Sequence, residues 1–462
     1  MSGSLLQVLS LYTPYLSLSY LQALVPPVID TIGLALGAMF IAFALSVPVA
    51  IADALKLPGA RLVLLALTAF RSIPELTLAI FCVILFGVGP GAGLVALALY
   101  YAAATTRMFS DIVRTAPSGP LDALRATGAS RLQIALFGLL PLTQADLLTY
   151  GAYEFESALR ASIVVGAVGG GGLGSELVGS IAVLDFHRVA TQILVLVAVI
   201  AAFDALAVQL RRHPRWLLLT APFGLVAVVA YSPRLLAFDH AMDVFSQMLP
   251  PEITSDGLAH LPERLLETLW MALAGTGGAV VVAMVAGPAS ARNLAPAWLA
   301  IPLRRLMELL RTVPEIVWGL ILILMVGVGP TAGAWALGLH SAGSLSRLFA
   351  ESLENAPRRP QAAIAQTGAS PLQVFAFATA PLALGPIAAH AVFRLEWNLR
   401  MATVLGLIGA GGIGQALYEA QQLMFYRQMV AYILITWALI APLEQLGQSF
   451  RQRRGLLRAA VA

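Results

Sequence analysis

Residues 71–90 read RSIPELTLAIFCVILFGVGP, and residues 311–330 read RTVPEIVWGLILILMVGVGP. Arg71, Pro74, Glu75 and Gly87-Val88-Gly89-Pro90 of the first stretch return as Arg311, Pro314, Glu315 and Gly327-Val328-Gly329-Pro330, an offset of 240 residues (311 minus 71). The register continues without a gap. Thr127-Gly128-Ala129-Ser130 faces Thr367-Gly368-Ala369-Ser370, Pro141-Leu142 faces Pro381-Leu382, and Glu156, Arg160 and Gly174 face Glu396, Arg400 and Gly414. Upstream, Asp30-Thr31 faces Glu267-Thr268 at an offset of 237 (267 minus 30), so a small insertion or deletion lies between. The chain therefore reads as two copies of one unit, 1–211 and 212–462, divided near Arg211-Arg212-His213-Pro214-Arg215.

Each copy is built for lipid. Of 462 residues, 59% are hydrophobic and 11% charged, where soluble domains carry about 25% charge. Runs such as ILVLVAVIAA (193–202) and AVVVAMVA (279–286) stand where a soluble protein would place a charged shell. These numbers exclude a soluble globular enzyme and a disordered chain. Continuous apolar runs, instead of short alternating ones, also argue against a transmembrane β-barrel. The net charge of +4 does not point to nucleic acid, because the basic residues cluster in loops between apolar segments. Cys82 is the only cysteine, so neither an internal disulfide nor a cysteine metal site is available. The first twenty residues lack the basic region and small-residue cleavage site of a signal peptide.

About 30 Å of hydrocarbon takes about 20 residues of helix. This predicts spans near 5–25, 28–51, 61–88, 91–109, 133–155 and 188–208 in the first copy. In the second they fall near 216–231, 267–290, 299–325, 331–350, 373–395 and 428–446, with an extramembrane stretch from Ser232 to Pro262. The expected fold is an all-α integral membrane protein of about twelve transmembrane helices, with kinks at Pro74 and Pro314. Lys56 is the single lysine, and arginines gather at 107–131, 211–215, 292–305, 358–359 and 451–458, which places those segments in the cytoplasm. Six spans per copy then give both copies the same orientation, as parallel repeats.

One cytoplasmic loop is distinctive in both copies: Asp111 to Gln133, and Glu351 to Gln373. In the first, Asp122-Ala123 is followed by Thr127-Gly128 and then Pro141; in the second, Ala362-Ala363 is followed by Thr367-Gly368 and Pro381. This pattern resembles the EAA loop of ABC importer permeases, a short helix and a glycine turn that dock in a groove of an ATPase. Residues 394–414, RLEWNLRMATVLGLIGAGGIG, resemble the signature of the phosphonate (PhnE-type) permeases of that class, and the 311–315 and 327–330 segments fit the same family. The second copy follows the family from about 262 to 446. The first follows it less closely, with GGGGLG at 169–174 and Ser157-Ala158 where Trp397-Asn398 stand.

The resemblance implies a type I ABC importer transmembrane fold, with two permease copies fused where the family uses a homodimer. It implies that Asp122, Ala123, Thr127, Gly128, Ala363, Thr367 and Gly368 couple to two ATPase subunits. ATP and magnesium would bind on those partners, this chain would hold no cofactor and no catalytic residue, and an extracytoplasmic binding protein would deliver the substrate at the inner membrane. One departure stands out: Ala362 replaces the acidic residue found at Asp122, so coupling is expected to be asymmetric.

Charges inside spans are expensive and mark functional candidates. Arg71 with Glu75, Arg311 with Glu315, Glu156 with Arg160 and Glu396 with Arg400 lie at i,i+4, one helical turn apart. Two readings stay open: the pairs neutralise themselves and shape packing, or Arg160 and Arg400 line the path of an anion. On the second reading the pathway or gate comprises Arg160, Arg400, Glu156, Glu396, Asn398, Gly166, Gly406 and Gly411. The glycine clusters 166–174 and 406–414 follow apolar helices instead of strands, so they read as hinges or a gate and not as nucleotide loops. The six histidines form no ligand spacing, and Lys56 lacks the glycines of a Walker loop.

The expected function is the permease of an ATP-driven importer for phosphonates or related phosphorus oxyanions such as phosphite or phosphate. A permease for another small solute such as an amino acid, and an ion-coupled secondary transporter, are the alternatives. The matched loops disfavour the secondary transporter, which has no need of them.

Overall fold

In lipid every backbone N–H and C=O must find its partner inside the chain, and a helix does this segment by segment. A computed structural model describes residues 13–453 apart from Arg71, Ser72, Pro74, Leu184 and residues 233–237. The described residues are helices joined by short connections, with no strand among them. The first repeat carries Val25–Ala54, Ala60–Ala69, Glu75–Phe86, Pro90–Arg114, Ser118–Ala126, Leu140–Val165, Gly172–Ala182 and Phe186–Arg212. The second carries, in the same order, Ser255–Ser290, Ala297–Thr312, Glu315–Val326, Pro330–Glu354, Arg358–Gln366, Ala380–Leu405, Gly412–Gln422 and Tyr426–Arg453.

Among the described residues eight helices are long and apolar enough to cross a membrane, fewer than the sequence spans suggest. Two of those predicted spans, 61–88 and 299–325, are each a pair of helices. In the second repeat the break falls at Val313 (φ −77°, ψ 119°) and Pro314 (φ −58°, ψ 151°), both extended. A proline ring pushes the preceding residue out of the α region, so the helix ends where a kink was expected. Residues 5–12 of the predicted 5–25 span lie outside the described residues, as does Pro74. Helix Ser255–Ser290 continues through Pro262, so the last part of the stretch expected outside the membrane, 255–262, is the leading end of a long helix.

The chain divides into two compact units between Leu249 and Pro250, beyond the 211/212 division read from the repeat. The reason is local packing. Helix Ala221–Tyr231 lies against Val25–Ala54: a Cβ on Gly224 would meet Leu36 O at 2.8 Å and Phe40 Cβ at 2.7 Å. At its end Tyr231 Oη donates to Asp30 Oδ1 at 2.9 Å.

In the first unit Val25–Ala54 packs along Pro90–Arg114, where a Cβ on Gly37 would lie 2.8 Å from Leu94 Cδ1, and Ala35, Ala38 and Ala42 of the same helix are fully buried. Small residues let helices approach closely in lipid, where dispersion and hydrogen bonds drive association. Ser46 Oγ joins the pair to Thr105 Oγ1 at 2.7 Å and Thr106 Oγ1 at 2.8 Å. The second unit repeats the seam between Ser255–Ser290 and Pro330–Glu354, where a Cβ on Gly275 or Gly287 would come within 2.8 Å of Leu337 Cβ or Phe349 Cβ.

Candidate functional site

Each repeat carries a hairpin at one end of a long bundle helix, Leu140–Val165 or Ala380–Leu405, and a glycine break at the other. After Pro90–Arg114 the chain turns into the short helix Ser118–Ala126, whose Leu121 is buried against Phe109, Val113 and Ile134. Gly128 ends it at φ +77°, a left-handed conformation that costs an L side chain about 1–2 kcal/mol. Ser130 then caps the next turn and Gln133 reaches back to the Ser130 N–H, a capping box. The second repeat does the same with Gly368 at φ +82° and the Ser370–Gln373 box. Pro141 and Pro381 lack the N–H that an α-helix would offer the carbonyl four residues back. Both prolines follow a π-helical turn, Ala135–Leu139 and Phe375–Thr379, and the long helices continue.

Asp122, Ala123, Thr127 and Gly128 are exposed on the first hairpin, and Ala363, Thr367 and Gly368 on the second. Asp122 pairs with Arg125 of its own helix at 2.7 Å. The Thr127 and Thr367 hydroxyls each donate to the carbonyl three residues before at 2.7 Å. From the hairpin, helix Leu140–Val165 runs about 39 Å at 1.5 Å per residue, enough to cross the hydrocarbon. It ends in the π turn Gly166–Gly170, where Gly169 has φ +100°, and Gly171 and Gly172 are also left-handed.

The counterpart Gly406–Ala410 breaks at Gly409, with Gly411 and Gly412 left-handed. Here the backbone folds onto itself. A Cβ on Gly174 would strike Ile163 O, and one on Gly414 would strike Thr403 O. Gly166 and Gly406 face the backbones of Gly174 and Gly414 from the other side.

The break is pinned from outside at matched points. Gly89 N–H donates to Gly169 O at 2.8 Å, and Gly329 N–H to Gly409 O at 3.0 Å, tying the GVGP loops to the glycine turns. Leu173 N–H donates to Thr31 Oγ1 at 2.8 Å, and Ile413 N–H to Thr268 Oγ1 at 2.9 Å, capping the helices that restart after the break. The second repeat adds a carboxylate: Glu267 Oε2 accepts from Gly412 N–H at 2.6 Å, and a Cβ on Gly411 would lie 2.9 Å from it.

The charged candidates separate into two unlike networks. In the first repeat half-buried Glu156 accepts from Arg160 one turn on and from Arg211 Nη1 at 2.7 Å. Arg211, which the sequence placed in a cytoplasmic cluster, thus folds back onto the bundle. In the second repeat Arg311 and Glu315 do not share a helix face, because the Val313–Pro314 break separates their helices. Arg71 lies outside the described residues, so its pairing with Glu75 does too. Glu315 Oε1 instead accepts from Trp397 Nε1 at 3.0 Å and meets His340 Nε2 at 3.2 Å, with Arg394 Nη2 at 3.8 Å.

Asn398 is fully buried, accepting from Ser341 Oγ and donating to Thr276 Oγ1, both at 2.9 Å. Arg394 Nε donates to the same Ser341 Oγ at 2.8 Å. Glu396 is buried against Gly447 of the last helix, and Arg400 is half-buried one turn further along. Sequence reasoning missed His340, Arg394, Ser341, Thr31 and Thr268. For the first three a signal existed, since polar residues interrupt apolar spans where the first repeat has Tyr100, Glu154 and Tyr101.

The family described as binding-protein-dependent transport system inner membrane component matches residues 46–216 and again 279–455. The phosphate-import permease protein PhnE of Mycolicibacterium smegmatis is 27% identical over 94% of this chain and 88% of that protein. The phosphite transport system permease protein PtxC of Stutzerimonas stutzeri is 38% identical over 42% of this chain and 70% of that protein. Among solved structures, the MetNI methionine ABC transporter in inward-facing conformations is 20% identical over 44% of this chain and 99% of that one, with a TM-score of 0.40. The two hairpin-and-glycine units are two copies of one family domain, and the chain belongs to the binding-protein-dependent transport system inner membrane components.

Proposed function

We propose that this chain is the complete membrane pathway of an ATP-driven importer for phosphorus oxyanions: phosphonate, phosphite or phosphate. The observation that carries the reading is the similarity to the phosphate-import permease, which runs across 94% of the chain and so takes in both repeats. The phosphite transport permease supports the same chemistry. In this reading the chain sits in the inner membrane, takes substrate from an extracytoplasmic binding protein and hydrolyses nothing itself. Two ATPase subunits, which bind ATP and magnesium, grip the hairpins Ser118–Ala126 and Arg358–Gln366.

Closure of the ATPases pulls each hairpin. The hairpin core around Leu121 and the continuous helices Leu140–Val165 and Ala380–Leu405 carry that displacement to the glycine breaks. There, residues without side chains allow the backbone to change conformation at small steric cost. Arg160 and Arg400, each one turn from a glutamate and close in sequence to a break, supply the cationic surface an oxyanion needs. Glu156 and Glu396 hold them in place and offset the cost of their charge in the bundle.

The test is ATP-dependent uptake in proteoliposomes holding this chain, its ATPase and its binding protein, with labelled aminoethylphosphonate competed by phosphate, phosphite and methionine. Uptake that needs all three components and yields to phosphorus oxyanions alone supports the reading. Uptake by the chain alone refutes it, and competition by methionine alone discards the substrate class.

A further inference from the structure

The two hairpins share a backbone and invert its charges. At the root of the first, Arg114 Nη2 binds Asp53 Oδ2 at 2.6 Å, and Ser110 Oγ donates to the same oxygen at 2.5 Å. In the second repeat the position of Arg114 is Glu354 and that of Asp53 is Ser290. There Glu354 Oε1 accepts from Arg304 Nη2 at 2.5 Å and from Arg292 N–H at 2.6 Å, while Arg304 Nε donates to Ser290 O at 2.7 Å. Base at the root of one hairpin becomes acid at the root of the other.

The exposed faces differ in charge as well. On the first hairpin Ser118-Gly119 precede Asp122 and Arg125, which pair with each other at 2.7 Å and leave the short helix neutral. On the second those four positions are Arg358, Arg359, Ala362 and Ala365. Both arginines are exposed, and neither has an ion-pair partner among the described residues. Arg358, with Asn293, Glu354, Gln361 and Val374, lines a cavity of about 390 Å³ that opens between hairpin and root. Two bare guanidinium groups, that of Arg358 at the edge of an open cavity, form a surface that an acidic partner completes and a neutral one does not.

We propose that the second hairpin docks on an ATPase surface presenting carboxylates opposite Arg358 and Arg359, whereas the first docks through its neutral, self-paired face. The inference rests on the permease reading above. It makes one of the two ATPase contacts electrostatic, hence sensitive to ionic strength, and the other insensitive.

The experiment titrates purified ATPase onto the full-length chain in phosphatidylcholine nanodiscs at low and high salt, resolving the two binding steps. The wild type loses one step as salt rises. R358A/R359A weakens that step about 2–30-fold at low salt, taking each exposed pair at about 0.2–1 kcal/mol, and removes its salt dependence. R358K/R359K keeps the charge and retains the dependence. If R358A/R359A binds with an unaltered salt profile, the proposal is overturned while the permease reading stands. If no ATPase binds the wild type at all, the permease reading itself fails. If the arginines affect binding only in nanodiscs containing anionic phosphatidylglycerol, they serve lipid headgroups and the proposal is again overturned.

Discussion

Replacing Thr31 or Thr268 by valine removes a single oxygen atom from the place where a helix restarts after the glycine break. Thr31 Oγ1 donates to Pro27 O at 2.8 Å and accepts from Leu173 N–H at 2.8 Å; Thr268 Oγ1 donates to Arg264 O and accepts from Ile413 N–H, both at 2.9 Å. Thr31 and Thr268 are 1% and 0% exposed, and Leu173 and Ile413 are 2% and 0% exposed, so water cannot take over as acceptor. Valine has the same shape and leaves the helix-start N–H unpaired, a cost of about 1–3 kcal/mol. At about 2–4 °C per kcal/mol for a unit of 150–250 residues, the midpoint of thermal unfolding should fall by about 2–12 °C for either variant. Serine keeps the acceptor and should restore most of the loss. The assay is thermal unfolding of the full chain in nanodiscs, paired with uptake. A shift below about 1 °C for both valine variants, or serine variants as unstable as the valines, would refute the claim that these oxygens hold the break.

The buried amide of the second repeat gives an asymmetric prediction. Asn398→Leu strands Ser341 and Thr276 and should cost about 1–3 kcal/mol, while Ala158→Asn buries an amide in the repeat whose counterparts of Ser341 and Thr276 are Tyr101 and Met39 and should also destabilise the chain; denaturant unfolding of each variant checks both. At the hairpin turns, Gly128→Val and Gly368→Val place a β-branched residue at positive φ with no neighbour within 4 Å of the new Cβ. Uptake should fall while helix content by circular dichroism holds, and Gly128→Asn should be tolerated because Asn visits that region. Glu156→Gln leaves Arg160 and Arg211 without their shared carboxylate, and should lower stability by about 1–3 kcal/mol, measured by thermal unfolding at two salt concentrations.

The repeat and the membrane class were legible because both depend on residue type at a fixed spacing, and nothing else. The hairpins were legible from their turn glycines, Gly128 and Gly368, and the spacing to Pro141 and Pro381, whereas the capping boxes Ser130–Gln133 and Ser370–Gln373 that restart the helices went unread. What stayed hidden depends on contacts distant in sequence or on geometry that runs against the pattern. Apolar character continues through Val313 and Pro314, so the 299–325 run looked like one span, and the i,i+4 reading of Arg311 with Glu315 presumed a helix that ends between them. Thr31 and Leu173 meet across 142 residues, and Asp53 and Arg114 across 61, separations no periodicity can see. The division at Leu249 was hidden because Gly224 and Tyr231 reveal their partners only once Val25–Ala54 lies beside them.

The central claim is that one chain supplies both halves of the permease, and native mass spectrometry of the assembled transporter in nanodiscs measures it directly. One copy of this chain with two ATPase subunits is the predicted mass. A complex holding two copies of this chain would contradict the account, because each copy would then contribute only half of its own pathway.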